Sequence, residues 1–154
     1  EMCIRDRLLL ALCLVTLSAN AQEPLEQSFE SDVLVIVARD ACYRFDIYLA
    51  VNGQQQRRGL MFVREMPERT GMLFVYPDEN YRSMWMKNTF ISLDMLFARR
   101  DGSIANIASD TVPQSEKSIT SSEPVSFVLE LNAGTARRLS IGTDSRLVWE
   151  PAMQ

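Results

Sequence analysis

The chain has 154 residues, 47% of them hydrophobic, and a formal net charge of -4. That length supports one globular domain with a real core and is too short for two. The acidic balance gives no broad basic surface for a phosphate backbone, so nucleic acid is disfavoured and not expected as a partner, and an anionic membrane surface is disfavoured on the same ground.

Arg5 and Arg7 precede the apolar run Leu8 to Leu17 and the small-residue site Ala19-Asn20-Ala21. This three-part order predicts a secretory signal peptide over residues 1–21 and a periplasmic or secreted mature protein. The run is shorter than the roughly 20 residues a membrane-spanning helix needs, and no later stretch approaches that length, so no membrane span is expected. A lipoprotein anchored at Cys13 is the competing reading, but Leu12 stands before that cysteine where a small residue is expected. Cleavage after Ala21 leaves Cys42 as the only cysteine, so no intramolecular disulfide forms and the thiol is expected to be buried and inert.

Residues 22–32 are polar, include Pro24, and read as a flexible lead-in to a single β domain over residues 33–150. Val33 to Ala38 is a continuous apolar run, and Tyr43 to Val51 alternates Tyr43, Phe45, Ile47 and Leu49 with polar neighbours; both predict strands. Asn52-Gly53 is a turn signal, and Gln54 to Met61 predicts two turns of helix facing inward through Leu60 and Met61. Gly71 to Tyr76 predicts a strand ended by Pro77. Arg82 to Lys87 and Leu93 to Arg99 are the next strands, and Asp101-Gly102 turns the chain into a strand over Ile104 to Val112. The serine-rich segment Pro113 to Pro124 lacks apolar periodicity and reads as a long loop. Val125, Phe127, Leu129 and Leu131 alternate as a strand, Asn132 is placed to cap a helix over Ala133 to Leu139, and Arg146 to Trp149 is a last strand. Seven to eight short strands with one or two short helices predict an all-β (mainly β) fold, a compact sandwich or a partly closed barrel.

Several segments, taken together and in order, carry a resemblance. They are Arg58-Gly59-Leu60-Met61, Gly71-Met72-Leu73-Phe74, Trp85-Met86-Lys87-Asn88-Thr89, Leu93-Asp94, Val128-Leu129-Glu130-Leu131 and Ala133-Gly134-Thr135-Ala136. This set resembles the signature segments of the domain of unknown function 192 family, from about Val33 to Val148. The resemblance implies a compact, mainly β domain, often exported in bacteria, with no established activity. The family usually has Gly-Asp near the last strand, where this chain has Thr143-Asp144, a departure that concerns the local turn geometry.

The residues themselves limit the chemistry. The sequence contains no histidine, which removes the commonest general base and metal ligand and makes a Ser-His-Asp site impossible within one chain. A Ser-Lys arrangement would use Lys87 with Ser83 or Ser92, but on a strand Ser83 and Lys87 stand about 13 Å apart, too far for a direct bond. A carboxylate pair drawn from Asp94, Asp110 and Glu130 would serve a glycosidase-like hydrolase, with Asp94 as the leading acid. Against this stands a structural role, in which a buried Asp94 or Glu130 is satisfied by backbone amides or by a cation. Met84 and Met86 lie two residues apart and could hold Cu(I), but Trp85 alternates to the opposite face, no histidine completes the site, and core packing explains the methionines well. No calcium-loop spacing is present, and no cofactor is expected.

A binding module demands least. Trp85 and Lys87 alternate with Met84 and Met86, so one face of the strand packs inward while the other offers an aromatic ring and a cation. Asn88 and Asp94 add polar groups nearby. The expected ligand site is therefore Trp85, Lys87, Asn88 and Asp94, suited to a sugar, a peptide or another small molecule. The function predicted is ligand or partner binding, with the carboxylate hydrolase and Met-based Cu(I) binding as alternatives.

Overall fold

The computed structural model describes residues 24–150; the leader expected over residues 1–21 lies outside them. Nine strands and three short helices occur among the described residues. The expected lead-in carries α1 (Leu25–Ser28), and β1 (Glu30–Val37) begins three residues before the predicted strand. β2 (Cys42–Ala50) pairs antiparallel with β1 over its whole length. The Asn52 side chain, in what reads as a turn signal, accepts the backbone N–H groups of Gln54 and Gln55 and so caps α2 (Gly53–Arg58). That helix stops before Leu60 because Gly59 takes a positive φ of 46°.

The crossover through α2 lets β3 (Thr70–Asn80) pair parallel with β2. β3 runs through Pro77 rather than ending there. The β3–β8 register shifts between Val75 and Asn80, so the proline, which has no N–H, sits where the ladder is already interrupted. The predicted strand Arg82 to Lys87 shortens to β4 (Ser83–Met84). Its partner is β7 (Ile119–Thr120), inside the segment expected to be a loop. β5 (Leu93–Ala98), β6 (Ile104–Ala108), β8 (Val125–Asn132) and β9 (Arg146–Val148) complete the strands. α3 (Thr135–Arg138) follows Gly134, which adopts φ 78°, and not Asn132. The Asn132 side chain instead donates to the carbonyls of Met66 and Pro67.

Seven strands form one sheet in the order β6-β5-β8-β3-β2-β1-β9, and β4 and β7 form a small second sheet. The large sheet curls until its edges meet. Ser103 bridges Arg146, and the Leu147 N–H donates to the Gly102 carbonyl at 2.8 Å. A Cβ at Gly102 would run into the Leu147 carbonyl, so glycine is required where the hairpin docks on β9. The result is a nearly closed barrel, the second of the two architectures predicted.

Two apolar cores follow from the pleat. Inside the barrel, Leu34, Phe45, Ile47, Leu73, Leu96 and Leu129 pack together. The opposite face of β3, β5 and β8 is covered as well, by Leu60, Val63, Met66, Met84 and Met86 lying over Met72, Phe74, Met95 and Phe97. All six residues of β5 are buried for that reason. Cys42, expected to be buried, is exposed at the start of β2, next to the turn from β1.

Candidate functional site

Asp94 and Glu130 are the two buried acids in the described residues, and the sheet register separates them. Asp94 on β5 is opposite Leu131, and Met95 is opposite Glu130. Since successive side chains point to opposite faces, Asp94 faces the barrel side and Glu130 the outer, covered side. They cannot form the carboxylate pair that a hydrolase would need.

Their surroundings differ too. Asp94 Oδ1 accepts the Asp110 N–H at 3.0 Å, and Oδ2 accepts the Ala136 N–H at 2.8 Å. These bonds tie β5 to the segment after β6 and to the first turn of α3, so each Asp94 oxygen has a backbone donor. Asp110 is engaged elsewhere, in an exposed pair with Arg137 at 3.0 Å.

Glu130 is 4% exposed, and no hydrogen bond or ion pair within the described residues reaches its carboxyl group. Burial alone pushes its pKa up to about 8, so the carboxylic acid is mostly neutral at pH 7. It lines an open cavity of about 280 Å³. Leu60, Phe74, Tyr76 and Met84 form apolar walls, and Trp85, Lys87 and Arg57 stand around the cavity as well. Burial is also the main cause of the raised pKa of Tyr76; Arg82 opposes it and Glu130 adds to it, placing the phenol within electrostatic reach of the acid.

Local sequence explains how these groups converge. At Gly71 β3 runs tightly against β8: a Cβ there would lie 2.7 Å from both the Glu130 carbonyl oxygen and Leu131 Cδ2. Glycine therefore lets the strand carrying Glu130 sit tightly against β3. Beyond β4 the chain turns, with the Met86 N–H bonded to the Ser115 carbonyl and the Thr89 N–H to the Met86 carbonyl. Met84 and Met86 are buried, whereas Trp85 is 49% exposed, so the predicted alternation survives although the strand is only two residues long. Lys87 Nζ lies 5.5 Å from the Trp85 ring centroid and 3.7 Å from Glu116 Oε1.

Of the predicted ligand residues, Trp85 and Lys87 line the cavity, and Asn88 and Asp94 do not. Asn88 occupies a left-handed turn with φ 54°, where its carbonyl accepts the Phe62 N–H. Ser83 and Lys87 border the same cavity because the chain curls after Met84, but Ser83 Oγ is bonded to Ser118 Oγ at 2.6 Å and not to the lysine. The thioethers are used in packing: Met84 Sδ accepts the Tyr76 hydroxyl at 3.8 Å, and Met86 Sδ accepts the Thr111 hydroxyl at 3.2 Å. No group of three or more His, Cys, Asp and Glu side chains placed to hold a metal occurs among the described residues. No described helix is long and apolar enough to cross a membrane.

Tyr76 and Arg57 are additions that sequence reasoning did not make. The available signal is Glu130 itself, a lone acid on the second face of a strand whose first face is Phe127, Leu129 and Leu131.

The model of the domain of unknown function 192 family, described as "Uncharacterized ACR", matches residues 35–149. A solved protein of Sinorhizobium meliloti 1021, described as a candidate transcription regulator, is 40% identical. The match covers 78% of this chain and 94% of that one, with a TM-score of 0.76. A solved protein of unknown function from Novosphingobium aromaticivorans is 31% identical, covering 79% of this chain and 86% of that one, with a TM-score of 0.77. No curated protein matches the chain.

Proposed function

The chain belongs to the domain of unknown function 192 family, and we propose that it is a binding module that takes a small molecule into the cavity between Trp85 and Glu130. The observation that carries this reading is the contrast between its two enclosed acids. Asp94 has two backbone donors, whereas Glu130 has none and faces a cavity. A buried polar group without a partner costs about 1–3 kcal/mol, and a ligand that meets the Glu130 carboxyl offsets that cost. A half-exposed tryptophan beside a cation supplies a stacking surface. Export is part of the proposal, supported by the leader-like order of Arg5, Arg7, Leu8 to Leu17 and Ala19 to Ala21. The description of the Sinorhizobium relative does not carry over, since a net charge of -4 is unsuited to a DNA backbone.

The test is an amide chemical-shift titration of the folded protein with D-glucose, D-glucuronate and acetate. Binding at this site shifts Leu60, Tyr76, Trp85, Lys87 and Glu130, and Trp85→Ala weakens it about tenfold, the loss of one stacking surface. The proposal fails if none of the three probes moves these amides, or if Trp85→Ala leaves the response unchanged.

A further inference from the structure

Resting on that binding reading, we propose that the cavity selects a small hydroxylated organic carboxylate, of the sugar-acid type, over its neutral counterpart. The carboxylate lies toward Arg57 and Lys87, and a hydroxyl or ring oxygen accepts from Glu130.

The cavity offers four donor groups without a strong acceptor of their own, and both of its charged side chains apart from Glu130 are cations. The Arg57 side chain makes no hydrogen bond or ion pair within the described residues. Lys87 has one distant partner, Glu116, and both side chains are well exposed, so that pair is weak and exchangeable. The Tyr76 hydroxyl donates only to a thioether 3.8 Å away, a poor acceptor that a ligand oxygen would displace. Glu130, in its neutral form, adds a fourth donor. The remaining side-chain donors are occupied: the Gln56 amide N–H donates to the Val75 carbonyl at 2.9 Å, the Thr89 hydroxyl donates to the Lys87 carbonyl, and Ser83 is bonded to Ser118.

A site with four donor groups, two of them cations, favours an acceptor-rich, negatively charged ligand. An amine would meet Arg57 and Lys87 with like charge. Inorganic phosphate would satisfy the cations but leave Leu60, Phe74, Met84 and Trp85 facing water. An organic body is needed to cover them, and the CH face of a sugar ring suits the Trp85 plane.

Glu130 gives the selectivity a sign. The charged or titratable groups lining the cavity with it are Tyr76 from β3, Arg57 from α2 and Lys87 from the turn after β4, while its neighbours across the sheet are Met72 and Met95. Ionisation of Glu130 removes the donor that meets the ligand oxygen and adds a negative charge to the cavity that holds the ligand carboxylate, so affinity falls as pH rises. Gln in its place keeps a neutral donor and cannot ionise.

The experiment compares D-glucuronate, D-glucose and inorganic phosphate by calorimetry and amide shifts, for the wild-type protein, Lys87→Gln, Arg57→Gln and Glu130→Gln, each checked for folding by circular dichroism. Expected results are tighter binding of D-glucuronate than of D-glucose by about tenfold, the worth of one charge-assisted hydrogen bond. Each of Lys87→Gln and Arg57→Gln should erode that preference, and the weakening at alkaline pH should disappear in Glu130→Gln. Equal binding of D-glucose and D-glucuronate at the cavity overturns the ligand class and leaves the binding reading standing. Phosphate binding as tightly as D-glucuronate overturns the requirement for an organic body. No shift at the cavity with any sugar probe overturns both.

Discussion

Replacing Glu130 by Gln should make the protein more stable, and only above mildly acidic pH. Burial raises the Glu130 pKa from 4.5 to about 8 in the folded chain. Between those values the native state holds a proton that the unfolded state has released, so the native state binds more protons and stability falls as pH rises. The slope approaches about 1.4 kcal/mol per pH unit, and the whole shift corresponds to something on the order of 5 kcal/mol. That is a large share of the roughly 5–15 kcal/mol by which domains are stable. Gln keeps the shape and the neutral state and loses the titration. Urea unfolding of wild type and Glu130→Gln, at steps between about pH 4 and about pH 9, should give curves that agree in acid and diverge steadily, the variant being more stable at the alkaline end. The window is unusually free of other signals, because the sequence has no histidine. Tyr48 is held up to about 12, by burial first and by its bond to Glu26. Glu26, Asp78 and Asp101 are held below their ordinary range, chiefly by side-chain hydrogen bonds from Tyr48, Arg82 and Ser103 respectively. Their contributions are lost only on the acid side and are common to both proteins. Parallel stability curves through the window would show that Glu130 ionises freely in the fold, and the burial argument would be wrong.

Asp94→Asn should destabilise the fold by about 3 kcal/mol, because an amide turned toward the Asp110 and Ala136 N–H groups satisfies only one of them. Denaturant midpoints measure this, and an unchanged midpoint would refute the structural role. The cavity amides of any folded Asp94→Asn protein should keep their response to D-glucuronate, since Asp94 faces the other side of the sheet. Gly71→Ala should cost about 2 kcal/mol by overpacking β3 against β8. It should also move the Glu130 amide resonance, and a neutral outcome in both readouts would contradict the close approach.

Which parts of the molecule could be read in the sequence follows from how each strand is buried. β1, β2 and β8 carry apolar runs or alternation that mark them as strands, and their ends fell within a few residues of the predictions. β7 and β4 are two residues each and exist because they meet one another, Ser83 opposite Thr120 and Met84 opposite Ile119. A two-residue strand has no period to detect. The exposed Cys42 and the continuation of β3 through Pro77 were missed for a related reason: both depend on which neighbour is absent at that point, and local composition does not encode that.

The candidate site shows the same limit more sharply. Asp94 and Glu130 look alike in the sequence, each a lone acid within an apolar strand, and both were candidate catalytic groups on that basis. What separates them is a register of one residue. Met95 lies opposite Glu130 and Asp94 opposite Leu131, so one acid turns toward the backbone donors at Asp110 and Ala136 and the other toward the cavity. Those donors are 16 and 42 residues away from Asp94, and the walls around Glu130 come from α2, β3 and the turn after β4. Trp85 and Lys87 could be found from alternation because that signal is local. Their relation to Glu130 depends on β8 lying between β3 and β5 in the sheet, an order set by strand pairing. A one-residue slip of β8 would exchange the faces of that strand, placing the unpaired acid inside the barrel between Leu73 of β3 and Leu96 of β5. The cost of burying it there opposes that slip, so the residue proposed to meet the ligand also helps hold the register that presents it.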